Sequence, residues 1–460
     1  MSSAKLLPCL LLVLAGLACG GGPSGSGQAP AAVLLSPQAS TLKPGGQVGF
    51  RVVDDQGHPL AAAYSIVEPG GGSIDAEGRY QAPLAAGTYH VQARVSTGVG
   101  AGLAEATLRV EPYLGELKAA PDAQFTRSEH TASLLGDGSV LVFGGMESSF
   151  AERFLPDTGA FVPAGDSGLT RWAHTASALP DGSLLIAGGL HGNRALAESS
   201  LYADGSFAPL PAGLGAARHG HSAATLADGR VLLAGGLPAP GSDVAALASS
   251  ELYDPAQRHF GSTGELNLPR TGHTATTLQD GSVLVVGGRD STCLFNCPQS
   301  VWRTAERYDP ASGTYVWGGA MSQRRFGHTA TLLPDGRLLV AGGTSPDLQG
   351  TDVSSLVEIY DPATNRFTDA GRMIRPRSRH TATLLGDGTV LFAGGETFGE
   401  GTLASNTVEA FDPRTGASRL FQSDRTTRYR HTATRLHSGQ VLLVGGSEGG
   451  GGLKAVERYN

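Results

Sequence analysis

The chain has 460 residues, 67 of them glycine, and only 16% of its residues are charged. Glycine is about twice as frequent as its usual ~7% and shows no collagen period, which together with plentiful Val, Leu and Thr indicates many strands and turns. The formal net charge of -7 argues against a nucleic-acid partner, because no overall positive field gathers phosphate groups.

The first residues have the layout of a signal peptide, predicted over 1–18. Lys5 is followed by an apolar run and then by Gly16-Leu17-Ala18, directly before Cys19. The segment is too short for a transmembrane helix. A cysteine at this place resembles the lipobox of bacterial lipoproteins, which implies lipid attachment at Cys19, whereas an ordinary secretory signal would leave that cysteine incidental. Residues 19–30, rich in Gly, Ser and Pro, are predicted to form a flexible tether.

Residues 31–112 are predicted to form a small β-sandwich. Short alternating strands with turns every few residues are typical of that class. The phrases Thr41-Leu42-Lys43-Pro44-Gly45-Gly46 and Ala86-Gly87-Thr88-Tyr89 resemble bacterial immunoglobulin-like domains, which implies a spacer on an exported protein.

One pattern then recurs seven times from residue 127 onward: Arg-x-x-His-[Ser/Thr]-Ala, an apolar run, a turn, a second apolar run and Gly-Gly. A third segment with Glu and an aromatic residue and a short fourth run complete the unit. The repeat histidines are His130, His174, His221, His273, His328, His380 and His431. Asp-Gly joins the first two runs in six copies, which is a strong hairpin signal. Each copy therefore predicts four strands, as in a propeller blade.

The Gly-Gly pair, the later aromatic residue and the four-strand unit resemble kelch repeats, and the form of the unit is similar to the bacterial branch related to the galactose oxidase propeller. The resemblance implies an all-β chain with a seven-bladed kelch-type propeller over residues 113–460, preceded by the sandwich. The seventh copy stops after its third strand, at Val456 to Tyr459. The run Leu114 to Ala119 is therefore predicted to supply the missing fourth strand and to close the ring.

The seven histidines are interpreted as structural, because a catalytic group is normally needed once. With the repeat Arg and Glu they are predicted to form a buried hydrogen-bond system in each blade. Cys293 and Cys297 share one loop and are predicted to form a local disulfide. The resemblance would require a propeller Cys linked to a Tyr for oxidase chemistry, and no residue matches that cofactor. No catalytic residue, metal site or cofactor is predicted.

The loops that precede each first strand, together with the variable loops after Gly-Gly, form one face of the predicted propeller, and such loops usually carry function. Arg375, Arg379, Arg425 and Arg430 make this face locally basic on an acidic protein, which suits a carboxylate or phosphate group. Pairing with nearby acidic residues is the alternative. Trp172 and Trp302 lie on the same face, where each can stack a sugar or pack a loop.

These features predict an exported, monomeric protein, lipid-anchored in the bacterial cell envelope, that binds a protein or a polysaccharide and does not catalyse. The alternative is a carbohydrate-active enzyme on the same propeller, either a cofactor-free sugar epimerase or a copper oxidase.

Overall fold

A computed structural model describes residues 33–97, 100–146, 148–241, 244–290, 300–347, 353–399, 401–422, 426–449 and 451–460. Throughout these ranges the protein is built from β-strands, with no α-helix. In the same ranges there is accordingly no helix with the length and apolar character that a membrane crossing needs.

Three small sheets occupy the N-terminal part of the described chain and enclose one core that includes Val52, Val91 and Leu108. Their strands, sheet by sheet, are Leu34–Ser36, Arg51–Val53 and Pro59–Leu60; Ala39–Leu42, Gly100–Val110, Gly87–Thr97 and Ala63–Ile66; and Gln47–Gly49, Arg79–Gln81 and Ser73–Ile74. The predicted β-structure is therefore present, and the immunoglobulin-like assignment stays a prediction.

Seven antiparallel sheets of four strands follow among the described residues, one for each sequence repeat, which is consistent with a β-propeller. In strand order they are sheet 1 (Thr131–Leu134, Val140–Phe143, Phe150–Leu155, Ala160–Asp166), sheet 2 (Thr175–Ala178, Leu184–Ala187, Ser199–Ala203, Ser206–Pro209), sheet 3 (Ser222–Thr225, Val231–Ala234, Ser250–Asp254, His259–Ser262), sheet 4 (Thr274–Thr277, Val283–Val286, Thr304–Asp309, Thr314–Ala320), sheet 5 (Thr329–Leu332, Leu338–Ala341, Leu356–Asp361, Arg366–Arg372), sheet 6 (Thr381–Leu384, Val390–Ala393, Thr407–Asp412, Ala417–Gln422) and sheet 7 (Thr432–Arg435, Val441–Val444, Val456–Tyr459, Leu117–Ala120). Two short hairpins, Leu190–His191 with Arg194–Ala195 and Glu396–Gly399 with Gly401–Ala404, follow the Gly-Gly pairs of sheets 2 and 6.

The first strands of the seven sheets contact one another in a closed ring, with sheet 7 next to sheet 1. Small residues are needed where the sheets converge, and these strands are composed mostly of Thr and Ala. The second strands are fully buried, because each sheet is covered on both faces by its neighbours. The core therefore lies between sheets, as between sheets 3 and 4, where Leu232 and Ala234 share one cluster with Val283 and Val285.

The predicted closure of the ring is confirmed. Leu117–Ala120 pairs antiparallel with Val456–Tyr459, with Ala119 opposite Glu457. This pairing supplies the fourth strand of sheet 7 and removes the unpaired edge that an incomplete last repeat would leave.

The N-terminal sheets contact the turns between first and second strands in sheets 6 and 7. The backbone N–H of Lys43 donates to the carbonyl of Ser438 at 2.7 Å, and Arg435 donates to the carbonyl of Gly45 at 3.0 Å. The Tyr113 hydroxyl donates to the carbonyl of Gly439 at 2.8 Å. The opposite end of the ring, where the loops after Gly-Gly lie, is free of these contacts in the described residues.

Candidate functional site at one end of the ring axis

The repeat histidines link neighbouring sheets. All seven are buried. Each Nε2 is hydrogen-bonded to the hydroxyl of the first Thr or Ser in the preceding sheet, at 2.7–3.2 Å. Burial lowers the pKa of His130, His273 and His380 to about 3 and lowers that of the other four well below the usual value. Neutral imidazoles committed to bonds between sheets support the structural interpretation.

The repeat arginines and glutamates form a second buried system, and the histidines are not part of it. Each arginine donates to the carbonyl of the first glycine of its Gly-Gly pair, at 2.5–3.1 Å. In sheet 4, Arg270 also donates to Glu306 at 2.6 Å, and Glu306 accepts the backbone N–H groups of Asn267 and Leu268. The predicted Arg–Glu–His hydrogen-bond system is therefore wrong for the histidine. Its imidazole bonds to the neighbouring sheet and not to the arginine or glutamate of its own repeat.

Sheet 2 departs from this arrangement. Ser200 stands opposite Ile186, in the register that the glutamate has in the other sheets, and Glu198 pairs instead with Arg194 at the surface. The buried Arg171 donates to the carbonyls of Gly188 and Glu198. Burial lowers the pKa of Arg171 to about 10, with Glu198 opposing the decrease and Arg194 adding to it.

Seven residues directly before the repeat histidines form a narrow ring around the axis, called the neck here. They are Glu129, Ala173, Gly220, Gly272, Gly327, Arg379 and Arg430. Six successive backbone hydrogen bonds of 2.9–3.1 Å join neighbours around the neck, and the Thr271 hydroxyl spans the remaining step by donating to the carbonyl of Gly220 at 3.1 Å.

Every neck residue has a positive φ, between 51° and 64°. This left-handed conformation favours glycine and costs other residues about 1–2 kcal/mol. Three neighbouring sheets use glycine there, whereas Glu129, Arg379 and Arg430 place charged side chains in the strained position. Strain that the fold tolerates at a few positions is typical of functional sites.

A second set of seven residues, called the rim here, follows the Gly-Gly pairs: Met146, Leu190, Leu237, Arg289, Thr344, Glu396 and Ser447. Most of them pair by a single backbone bridge with the residue that precedes a neck residue, as in Thr271 with Arg289 and Ser378 with Glu396. The rim therefore lies next to the neck, and its two charged members are Arg289 and Glu396.

Neck and rim charges interact directly. Arg379 Nη1 lies 2.8 Å from Glu396 Oε1, and Arg430 pairs with Glu129. Arg289 stacks on the Phe326 ring, with its guanidinium carbon 4.3 Å from the ring centroid. Two carboxylates thus face three guanidinium groups.

The electrostatics of the cluster follow from burial. Burial lowers the pKa of Arg289 to about 10, and Arg379 and Arg430 contribute to the decrease. Burial raises the pKa of Glu396, against the opposing effect of Arg379 and Arg430. Glu396 has 2% of its side chain exposed, and this removal from water favours its protonated form.

The predicted ligand-binding arginines are only partly brought together. Arg379 and Arg430 are neighbours in the neck. Arg375 is exposed and belongs to neither neck nor rim, and Arg425 lies outside the described residues. Cys19 and the predicted disulfide cysteines, Cys293 and Cys297, also lie outside them, so lipid attachment and the disulfide stay predictions.

The two tryptophans have different surroundings. Trp302 donates its indole N–H to the carbonyl of Pro269 at 2.9 Å and thereby packs a loop. Trp172 precedes the neck residue Ala173, and its ring lies 6.4 Å from that of His219, centroid to centroid. Only Trp172 is therefore placed beside the neck.

Sequence reasoning missed Glu129, Arg289 and Glu396. The repeat itself contained the information. Each of the three residues stands at a fixed position of the repeat, directly before the histidine or directly after Gly-Gly, where most other copies have small or apolar residues. Aligning the seven repeats and comparing the residues at each variable position would have identified them.

Comparisons with known proteins give a likeness of fold. No protein-family profile matches the chain, and no curated protein matches it. Among solved structures it is similar to a fungal alcohol oxidase of the AA5 family in complex with copper, with a TM-score of 0.58 and 17% identity over 75% of this chain and 76% of that one. At this identity the likeness shows the fold alone.

The expectation that the protein does not catalyse is contradicted by this likeness, because a solved structure of similar fold is an alcohol oxidase. The described residues contain no group of three or more His, Cys, Asp and Glu side chains placed to hold a metal ion. At the axis, the guanidinium groups of Arg289, Arg379 and Arg430 repel a cation, so these residues do not fit copper.

Proposed function

We propose that the protein is a carbohydrate-active enzyme of the acid–base type, built on a seven-bladed kelch-type propeller, and that it acts on a sugar bearing an anionic group. The observation that carries the proposal is the convergence of five charged side chains on the axis, three of them in backbone positions that disfavour any residue but glycine. An enzyme also agrees with the oxidase of the same fold.

Arg289 supports binding of an anion. Arg379 and Arg430 each have a carboxylate partner, whereas Arg289 has none within the described residues. Its guanidinium group stacks on the Phe326 ring. The N–H donors at the edge of the guanidinium plane can then bind a carboxylate in bidentate geometry. Since two neighbouring arginines destabilise its charge, an incoming anion would be bound with a gain in Coulomb energy.

Glu396 supports proton transfer. A buried carboxyl group with a raised pKa exchanges protons at a pH closer to neutrality than an ordinary glutamate does. As a carboxylate it would remove the proton of an anomeric hydroxyl, and as an acid it would return that proton to the ring oxygen. The sugar ring then opens, and it closes again on either face. This epimerisation at the anomeric carbon is proton-neutral and needs no redox partner.

The experiment follows anomer exchange of galacturonate, glucuronate and N-acetylneuraminate by NMR, with galactose as the neutral reference. We expect faster exchange for an acidic sugar. Glu396→Gln should lower kcat by about 100-fold, and Arg289→Ser should raise KM by about tenfold or more. The matched control is Arg337→Ser, because Arg337 pairs with Asp335 in a turn at the opposite end of the ring.

Two results would contradict the proposal. If the protein accelerates anomer exchange of none of the acidic sugars, the proposed activity is wrong. Full activity of the Glu396→Gln protein would remove Glu396 from the reaction, even if Arg289 proved to bind the ligand.

We also propose that the enzyme is exported and anchored in the cell envelope through Cys19, which the residue pattern of positions 1–18 supports. Cys19→Ser should move the protein from the membrane fraction to the soluble fraction of its host and remove the mass of the lipid. Unchanged mass and unchanged fractionation would contradict the anchor.

A further inference from the structure

Trp172 and His219 lie side by side next to the neck, in sheets 2 and 3, away from the arginines of sheets 4, 6 and 7. Trp172 is fixed by two backbone hydrogen bonds with Leu190, of 2.8 and 3.1 Å. Its ring is tilted by 51° relative to that of His219. Trp172 and His219 directly precede the neck residues Ala173 and Gly220, so the aromatic pair lies at the same end of the axis as the charged cluster.

Both rings have a polar atom that the described residues leave without a partner. The Trp172 indole N–H donates to none of them, in contrast to that of Trp302. His219 Nε2 donates to the carbonyl of Ala239 at 3.2 Å, which fixes the tautomer and leaves Nδ1 as a hydrogen-bond acceptor. Burial lowers the pKa of His219, which favours this neutral form. The pair thus presents an aromatic face, one donor and one acceptor.

The neck has small residues between the two sides. Gly220, Gly272 and Gly327 occupy it in sheets 3, 4 and 5. A Cβ at Gly272 would meet the Cβ of Phe326 at 3.6 Å, whereas a Cβ at Gly220 or Gly327 would lie 3.0 Å from the hydroxyl of Thr271 or Ser378. The neck residues that lead from sheet 4 back to Trp172 are therefore small, and a ligand held by Arg289 would extend toward Trp172 along them.

We infer that Trp172 and His219 form the sugar-orienting wall of the site: the indole packs on the apolar face of a single pyranose ring, and His219 Nδ1 accepts a hydroxyl proton while Arg289 holds the anionic group. This inference rests on the proposed function and adds the residues that orient the sugar ring. A ring that is apolar on one face and lined with hydroxyls matches such a wall.

The three tryptophans of the chain allow a direct test. Trp302→Phe together with Trp317→Phe leaves Trp172 as the only indole fluorophore. Binding of galacturonate, glucuronate or N-acetylneuraminate is measured by calorimetry and by Trp172 emission on this protein. Trp172→Ala should weaken binding of the acidic sugar by about tenfold. The control Trp317→Ala removes an exposed tryptophan of the outer strand of sheet 4 and should leave affinity unchanged within about twofold.

A shift of Trp172 emission on saturation, with weaker binding by the Trp172→Ala protein, supports the inference. Trp172→Phe keeps an aromatic face without the indole N–H, and intermediate affinity there supports the double role of the ring. Binding of an acidic sugar with unchanged emission and unchanged Trp172→Ala affinity overturns the wall while leaving the proposed function in place. Absence of binding by every acidic sugar overturns both.

Discussion

Acidification should destabilise this protein through its seven buried histidines. Burial lowers the pKa of His380 to about 3, whereas an unfolded histidine titrates near 6.5. As pH falls from the unfolded value toward the folded one, the unfolded chain takes up protons that the folded chain cannot, so stability present above pH ~6.5 is lost across that window.

The size of the effect follows from proton linkage. Between pH 7.5 and 5.5, each histidine with a folded pKa of about 3 costs about 1.4 kcal/mol of stability, so His130, His273 and His380 together cost about 4 kcal/mol. The other four, whose pKa burial also lowers, add to this loss, which is a large part of the whole stability of many proteins. His90 acts in the opposite direction, because its hydrogen bond with Glu68 raises its pKa and adds stability at lower pH. A single histidine cannot offset seven.

Urea unfolding at pH 7.5, 6.5 and 5.5 measures this loss. His380→Gln removes one titrating ring, so its pH-dependent loss should be smaller than that of the unchanged protein by about 1.4 kcal/mol. Stability that stays constant over this range, or identical pH dependence for His380→Gln, would refute the argument that the histidines are buried and neutral.

Two further predictions concern the scaffold. Glu306→Gln should destabilise the protein by about 3 kcal/mol, because it leaves the buried Arg270 without its carboxylate. Its control, Glu198→Gln, breaks a surface ion pair and should cost less than about 1 kcal/mol in the same urea titration. Equal losses of stability in the two variants would argue against the buried network. Gly287→Ala places a Cβ 2.7 Å from both the Arg325 carbonyl and His328 Cε1 at φ +62° and should cost more than about 3 kcal/mol. Gly281→Ala has a similar φ and nothing within 4 Å, so it should show only the backbone cost of about 1 kcal/mol; equal melting temperatures of the two variants would exclude the close packing of the Gly-Gly pair.

Much of the fold was predictable because each repeat carries its own local signals. Alternating apolar runs, turn residues and Gly-Gly pairs act over a few residues, and they specify the four-stranded sheets and the closure by Leu117–Ala120. The partner of each histidine was not predictable in the same way. Thr274 and His328 belong to different repeats, and a pattern within one repeat contains no information about the contact between two.

The sequence by itself determined the repeated sheets, the buried arginines, glutamates and histidines, and the basic character of Arg379 and Arg430. Only the tertiary structure decided which variable residues meet on the axis. Ring closure sets sheet 7 beside sheet 1, so Arg430 pairs with Glu129 from the other end of the repeat array, and the bridge between Ser378 and Glu396 brings that carboxyl to Arg379. The physical reason is that a ring converts equal positions in successive repeats into spatial neighbours, whatever their separation along the chain.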